Sequence, residues 1–400
     1  MRIDADYLHR ILADLVRLNS INPAFTGGRG RTDERLVAAC VADALRALGG
    51  EVTLHEPQPG RVSVTGRVRG SGGGPSLMLY AHHDTVGVEG MADPFSAEIR
   101  DGRMYGRGAY DMKCGVAACL GAVHALRAGG VRLAGDLVVC SVADEETASI
   151  GISDVLSRVR TDAAIVTEPT ELEVCVAHKG FAWLRVSTHG RAAHGSRYDE
   201  GVDANLRMGR FLSRLEVLER ALRARPAHPL LGTPSLHAAV LKGGTGESTY
   251  AARCDLDIER RMLPAERDED VLAEIRAILG ELSAADPTFQ GEVALSLSRP
   301  GWETPVDAPI ARAVRDAARR ALGRDGPLVG KWYWMDTSLI AQAGIETIVF
   351  GPSGAGAHAA VEWVDLASVE QTAAILAEAA VTYCGGAGHG LKPVLGGTPT

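Results

Sequence analysis

Apolar residues first recur at helical spacing. Leu8, Ile11, Leu12, Leu15 and Val16 fall on one face of a segment spanning residues 4–18, which predicts an amphipathic helix. A second helix is expected to run to Leu48, capped by Thr32 or Asp33 and ended by Gly49-Gly50. The pattern then changes to short continuous apolar runs at Val62–Val68, Leu77–Ala81, Leu137–Ala143, Ala163–Thr167 and Thr347–Phe350. Helical patterns alternate with most of them, notably Met112–Ala128. A strand covered on both faces reads as apolar throughout. The alternation therefore predicts an α/β fold built on a mostly parallel, buried sheet.

The middle of the chain follows a different rhythm. Strand patterns at Phe181–His189, Ser235–Leu241, Ala252–Arg261 and Val293–Ser298 are interleaved with helical patterns at Asp203–Leu222 and Arg267–Leu282. The order β-α-β-β-α-β is that of a ferredoxin-like unit. Residues 178–300 are thus expected to form a small inserted domain, with residues 1–177 and 301–390 forming the larger one. The Gly/Pro-rich tail GGAGHGLKPVLGGTPT reads as frayed.

Composition narrows the class. In 400 residues, 46% hydrophobic and 23% charged positions are those of a water-soluble globular protein. A net charge of -8 argues against nucleic acid as a partner, since phosphate binding needs a basic surface. Charges interrupt the N-terminal stretch MRIDADYLHRILADL, so it does not read as a signal peptide, and a run of about 18 apolar residues is lacking. Seven cysteines, odd in number and without CxxC spacing, read as reduced thiols of a cytoplasmic protein. Cysteine-ligated zinc is correspondingly disfavoured.

Candidate chemistry clusters after the predicted strands. His82 and Asp84 follow one, Glu145 and Glu146 a second, Glu168 a third, and His358 lies in the loop after a fourth. Asp111, in GRGAYDMK, stands just before the helix that starts near Met112. In an open parallel sheet, ligands bind beyond the carboxyl ends of the strands, so these segments converge on one edge. Taken singly, each motif has an ordinary reading as a solvated loop, a turn or, for Asp111, a helix cap. Their shared address favours a divalent metal held by His and carboxylates, such as zinc. In the adjacent pair Glu145-Glu146, one carboxylate can ligate while its neighbour takes a proton from water.

The succession His-x-Asp, GRGxxDMK, Asp-Glu-Glu, Glu-Pro-Thr and a late GP…G…AH resembles the dinuclear zinc aminoacylase/carboxypeptidase family. That family includes acetylornithine deacetylase, succinyl-diaminopimelate desuccinylase and glutamate carboxypeptidase. The resemblance implies a metallohydrolase catalytic domain with an inserted lid/dimerisation domain. It implies two Zn2+ ions per chain, replaceable by Co2+, and hydrolysis of the amide bond of a small N-acyl amino acid bearing a free carboxylate. The alternative is a dipeptidase or a glutamate-carboxypeptidase-like metallopeptidase on the same scaffold. Position by position, it implies His82, Asp111, Glu146, Glu168 and His358 as metal ligands. Asp111 would bridge, Glu146 would sit with His82, and Glu168 with His358. Asp84 would orient His82, and Glu145 would be the general base. In the insert, GRAAHGS matches the family's GxxAHSS segment and makes His194 an oxyanion stabiliser reaching the partner subunit of a homodimer. RRMLPAE matches RxxPGE, which casts Arg261 as the partner of the substrate carboxylate, with a structural ion pair as the ordinary alternative. Where the family carries Asn, GGTGESTYAA has Ser248, which donates one hydrogen bond where an amide donates two. The aromatic segment Lys331–Asp336 lines a substrate pocket or belongs to the core.

Overall fold

A computed structural model describes residues 1–26 and 34–387. Thr32 and Asp33, and the tail from residue 388, lie outside the described residues. The chain divides into two compact units. One comprises Met1–Val176, Thr304–Val329 and the chain from Met335 onward; the other comprises Ala177–Glu303 and Gly330–Trp334.

In the first unit, the sheet is ordered Glu51–Gln58, Arg61–Val68, Leu137–Val142, Leu77–His82, Ala163–Val166, Glu346–Val349, Val174–His178. Its four consecutive strands from Leu137–Val142 to Glu346–Val349 run parallel, while the outer pairings are antiparallel. Strands Leu77–His82 and Leu137–Val142 are buried at every residue. This explains their unbroken apolar reading: neither face meets water. Each fully buried Leu, Met or Val there contributes about 1.5–3 kcal/mol. Helix Lys113–Ala128 is buried at almost every turn, and helices Ala5–Arg17 and Leu366–Cys384 pack against it. Helix Ala5–Arg17 is capped by Asp4, whose carboxylate accepts from the Tyr7 N–H at 3.0 Å.

Two of these seven strands escaped the pattern reading. Glu51–Gln58 is an edge strand whose residues are nearly all exposed or half-exposed, so it has no apolar signature. Val174–His178 is entirely buried, but it is short and followed after one residue by the next strand. All seven cysteines are free thiols, and all but Cys40 are buried.

The second unit has the predicted order: Gly180–His189, helix Ala204–Arg223, Ser235–Gly243, Arg253–Met262, helix Asp268–Ala285, Gln290–Arg299. The four strands form an antiparallel sheet in which Gly180–His189 and Arg253–Met262 are central. Alternate residues of Arg253–Met262 are buried, and they join Met208, Phe211, Leu215, Ile275 and Leu279 of the two helices in one core. Fully buried Arg260 is held by Glu266 and Glu274 at 2.6 and 3.2 Å. Ser235–Gly243 is an edge strand exposed from His237 onward. Among the described residues, no helix is long and apolar enough to cross a membrane.

Candidate metal centre

The four parallel strands end together, and the loops that leave them carry the polar residues. His82 closes its own strand. Asp84 follows two residues later, Glu145 and Glu146 follow Val142, and Glu168 follows Val166. Close packing leaves little play at these ends. A Cβ added to Gly115, in the first turn of helix Lys113–Ala128, would lie 2.4 Å from Thr167 Oγ1; one on Gly351 would lie 2.2 Å from the Glu168 carbonyl oxygen. Asp144 (φ 70) and His358 (φ 61) adopt left-handed backbone, a conformation costly for non-glycine residues and concentrated at functional sites.

The buried imidazole of His82 sets the logic of the site. Its Nδ1 lies 3.0 Å from the Asp84 carbonyl oxygen. A carbonyl only accepts, so Nδ1 carries the proton. Nε2 then turns its lone pair toward Asp111 Oδ1 at 3.3 Å, Glu168 Oε1 at 3.5 Å and Glu145 Oε2 at 3.9 Å. It has no hydrogen-bond partner, and neither does buried Glu146 Oε1. A neutral imidazole nitrogen facing three acidic oxygens is satisfied only by a proton or a cation placed between them. On the other side, His358 Nε2 lies 3.3 Å from Asp111 Oδ2 and 3.1 Å from Glu146 Oε2. Ligand atoms each about 2.1 Å from one tetrahedral ion stand about 3.4 Å apart, so these separations suit a metal without rearrangement. His82, Glu145 and Glu168, and His82, Asp111 and Glu146, each bring their ligand atoms within 4.8 Å of one another.

The electrostatics have the same sense. Burial, with Asp111, Glu146 and Asp336 adding to it and His82 opposing, pushes the Glu168 carboxyl up to about 8. Hydrogen bonds to Asp111 and Glu146 hold the His358 imidazole at about 10. Asp111 sits below the usual carboxylate range: burial opposes ionisation, but His358 and His82 outweigh it. So many carboxylates in one dry place call for positive charge, which divalent cations supply.

The geometry corrects one expectation. Glu168 lies beside His82 and Glu146 beside His358, the reverse of the pairing implied by the resemblance. The physical reason is the length of chain after each strand end. Both follow strands that flank that of His82, Glu168 two residues beyond Val166 and Glu146 four beyond Val142, and the longer excursion carries Glu146 to the His358 loop. Asp111 remains central, with one oxygen toward each imidazole.

Several buried partners gave no local signal in the sequence. Glu362 accepts from the Tyr110 and Asp111 N–H groups at 2.9 and 3.0 Å and pairs with Arg107 at 2.6 Å. Asp336, fully buried, accepts from the Tyr80 hydroxyl. Asn22, Arg61 and Asp144 meet behind Asp84. Each is tens to hundreds of residues from its partner, beyond the reach of any motif.

In the second unit, His194 is exposed. Its Nδ1 lies 2.9 Å from Ser196 Oγ, and its Nε2 lies 3.4 Å from Ser248 Oγ. The two motifs GRAAHGS and GGTGEST therefore meet, with the Gly195 N–H donating to the Ser248 carbonyl at 2.8 Å. Arg261 donates from Nε to Glu259 at 2.6 Å and lies over the Phe181 ring, 5.6 Å from its centroid. The aromatic segment is divided: Trp332 is 71% exposed and Trp334 meets Phe181 edge to face, whereas Met335 and Asp336 are buried.

Comparison with known proteins agrees with this architecture. Residues 78–382 match the model of peptidase family M20/M25/M40. The chain is 30% identical over 329 residues to an acetylornithine deacetylase of Myxococcus xanthus, covering 79% of this chain and 83% of that protein. It is 28% identical over 384 residues to an acetylornithine deacetylase of Proteus mirabilis, covering 93% and 96%. A dinuclear metal-binding M20 peptidase of Bacillus subtilis has a similar fold, with a TM-score of 0.73 at 16% identity, covering 95% of this chain and 98% of that one. The chain thus belongs to peptidase family M20/M25/M40 and is a metal-dependent amidohydrolase acting on C–N bonds.

Proposed function

We propose that the protein is a deacylase that frees an amino acid from a small N-acyl amino acid, using two zinc ions per chain, with cobalt able to substitute. The observation that carries this reading is the lone pair of His82 Nε2 aimed at Asp111, Glu168 and Glu145. The acetylornithine deacetylases among its relatives support the acyl amino acid as substrate class. His82, Asp111 and Glu168 would hold one ion, and Asp111, Glu146 and His358 the other. The ions would supply Lewis acidity at the scissile carbonyl and make the attacking water more acidic.

The remaining steps belong to side chains. Glu145 accepts the proton of the attacking water and returns it to the leaving nitrogen. Asp84 fixes the tautomer of His82 and, by accepting from the Glu145 N–H at 3.1 Å, the place of the base. His194 donates to the developing oxyanion, with Ser248 at its Nε2. Arg261 pairs with the substrate carboxylate through the guanidinium nitrogens not engaged by Glu259. Carboxylate recognition predicts that an N-acetyl amino acid is hydrolysed with a kcat/KM about 10²-fold or more above that of its methyl ester, the cost of losing a charge-assisted bond. Equal values for acid and ester would remove Arg261 from the substrate site. A panel of N-acyl amino acids and dipeptides, assayed with added zinc or cobalt, separates the deacylase from the peptidase reading.

The working unit we propose is a cytoplasmic homodimer in which the inserted unit, residues 178–300, acts as lid and dimerisation domain. The exposed edge strand Ser235–Gly243 and helix Ala204–Arg223 are its candidate contacts. His194 would then complete the partner subunit's centre. His194→Ala and Glu145→Ala chains should each be nearly inactive. Subunit exchange between them should restore one whole site per mixed dimer and part of the activity. Proven exchange without recovery would place His194 in its own chain's site or outside the chemistry.

A further inference from the structure

We infer that Asn22, clamped by Arg61 and Asp144, is a positioning residue for the turn that carries the general base. The inference rests on the reading of Glu145 as that base. It stands on a buried web within the first unit. The Asn22 side-chain nitrogen donates to Asp84 Oδ2 at 2.8 Å and to Asp144 Oδ1 at 2.9 Å, and lies 3.2 Å from Thr147 Oγ1. Its side-chain oxygen accepts from Arg61 Nη1 and from the Ala24 N–H, both at 3.1 Å. Its backbone N–H donates to the Thr85 carbonyl at 2.8 Å, which ties it to the chain just beyond Asp84. Asn22 and Asp84 are wholly buried, and Asp144 is 4% exposed.

The web grips the base turn from both sides. Asp84 accepts the N–H of Glu145 at Oδ1 and that of Glu146 at Oδ2, 3.1 and 3.3 Å away. Asp144, left-handed and immediately before Glu145, accepts from Arg61, Thr147 and the Ile150 N–H. Two carboxylates so close would repel one another and spread the turn. A primary amide is the one neutral side chain that can donate to both from a single nitrogen while its oxygen accepts from a guanidinium. Arg61 adds the charge, since its Nε also faces buried Glu34 at 3.2 Å. Among the described residues, the hydrogen bonds of the Asn22 side chain go to no metal-ligand side chain. Its influence on turnover runs through Asp84 and the turn that carries Glu145, which is why metal content is measured beside kcat.

The test compares Asn22→Ala, Thr147→Val and Glu145→Gln in the full-length, metal-loaded protein. Hydrogen exchange at the Glu145 and Glu146 amides is followed in metal-free samples. Asn22→Ala should lower kcat about 10- to 100-fold, with KM within about threefold and metal content unchanged. The two amides should exchange about tenfold faster or more. Thr147→Val, which leaves the fold's core intact, should shift kcat in the same direction by about fivefold, and it decides the matter if Asn22→Ala does not fold. A kcat within twofold of wild type for both variants, or activity lost only in step with metal, overturns the inference. An active Glu145→Gln overturns the reading of the base, and the positioning role with it. An inactive Glu145→Gln beside a normal Asn22→Ala overturns the positioning role alone.

Discussion

Glu145→Gln is expected to lower kcat by about 10³-fold, within the range of a lost general base, while metal content and melting temperature stay at wild-type values. Gln keeps the size of the side chain, and the backbone N–H of residue 145 keeps its bond to Asp84. The ligand geometry is untouched because Glu145 Oε2 stands 3.9 Å from His82 Nε2, farther than Asp111 or Glu168. Burial pushes the Glu145 carboxyl well above the ordinary range; Glu168, Asp336 and Glu146 add to this, and His82 opposes it. Glu146→Gln should behave differently, losing the metal that His358 shares and regaining activity in part at high zinc. Steady-state kinetics beside elemental analysis separates the two. If Glu145→Gln loses metal and Glu146→Gln keeps it, the roles within the pair are reversed.

Asp111→Ala is expected to abolish turnover, by about 10³-fold or more, because it withdraws a carboxylate with one oxygen toward each imidazole. Elemental analysis should find well under one metal per chain, against about two in the wild type. A chelator should inactivate the wild type to the same level, with zinc or cobalt restoring it. The mutation also leaves His82 and His358 beside Glu168 and Glu146 with one carboxylate fewer, so both imidazoles should titrate closer to their ordinary range. An Asp111→Ala protein that keeps two metals and its activity would contradict the bridging assignment.

Much of the architecture was legible in residue pattern alone. Strands buried on both faces, such as Leu77–His82, announce themselves as unbroken apolar runs, and helix Lys113–Ala128 fits the interval before the next strand. The insert was legible because alternate burial in Arg253–Met262 leaves a two-residue period. Most ligand candidates were legible because they stand at or shortly after a strand end, and parallel strands bring those ends together; Asp111 stands instead just before helix Lys113–Ala128. What pattern misses is whatever depends on no periodicity. The exposed edge strand Glu51–Gln58 presents no apolar face to read.

By itself, then, the sequence determined the parallel sheet, the inserted βαββαβ unit and the set of metal-ligand candidates, since these follow from local periodicity and from motif position along the chain. Tertiary structure alone decided which candidate ligands stand side by side. The placing of Glu168 beside His82 and of Glu146 beside His358 depends on where the loops after neighbouring strands end in space, a non-local quantity. It also decided that Asn22 lies against Asp84 and Asp144, and Arg107 against Glu362. Such contacts exist only because buried polar groups must find partners once water is excluded, and the partner is whatever the fold has brought within reach.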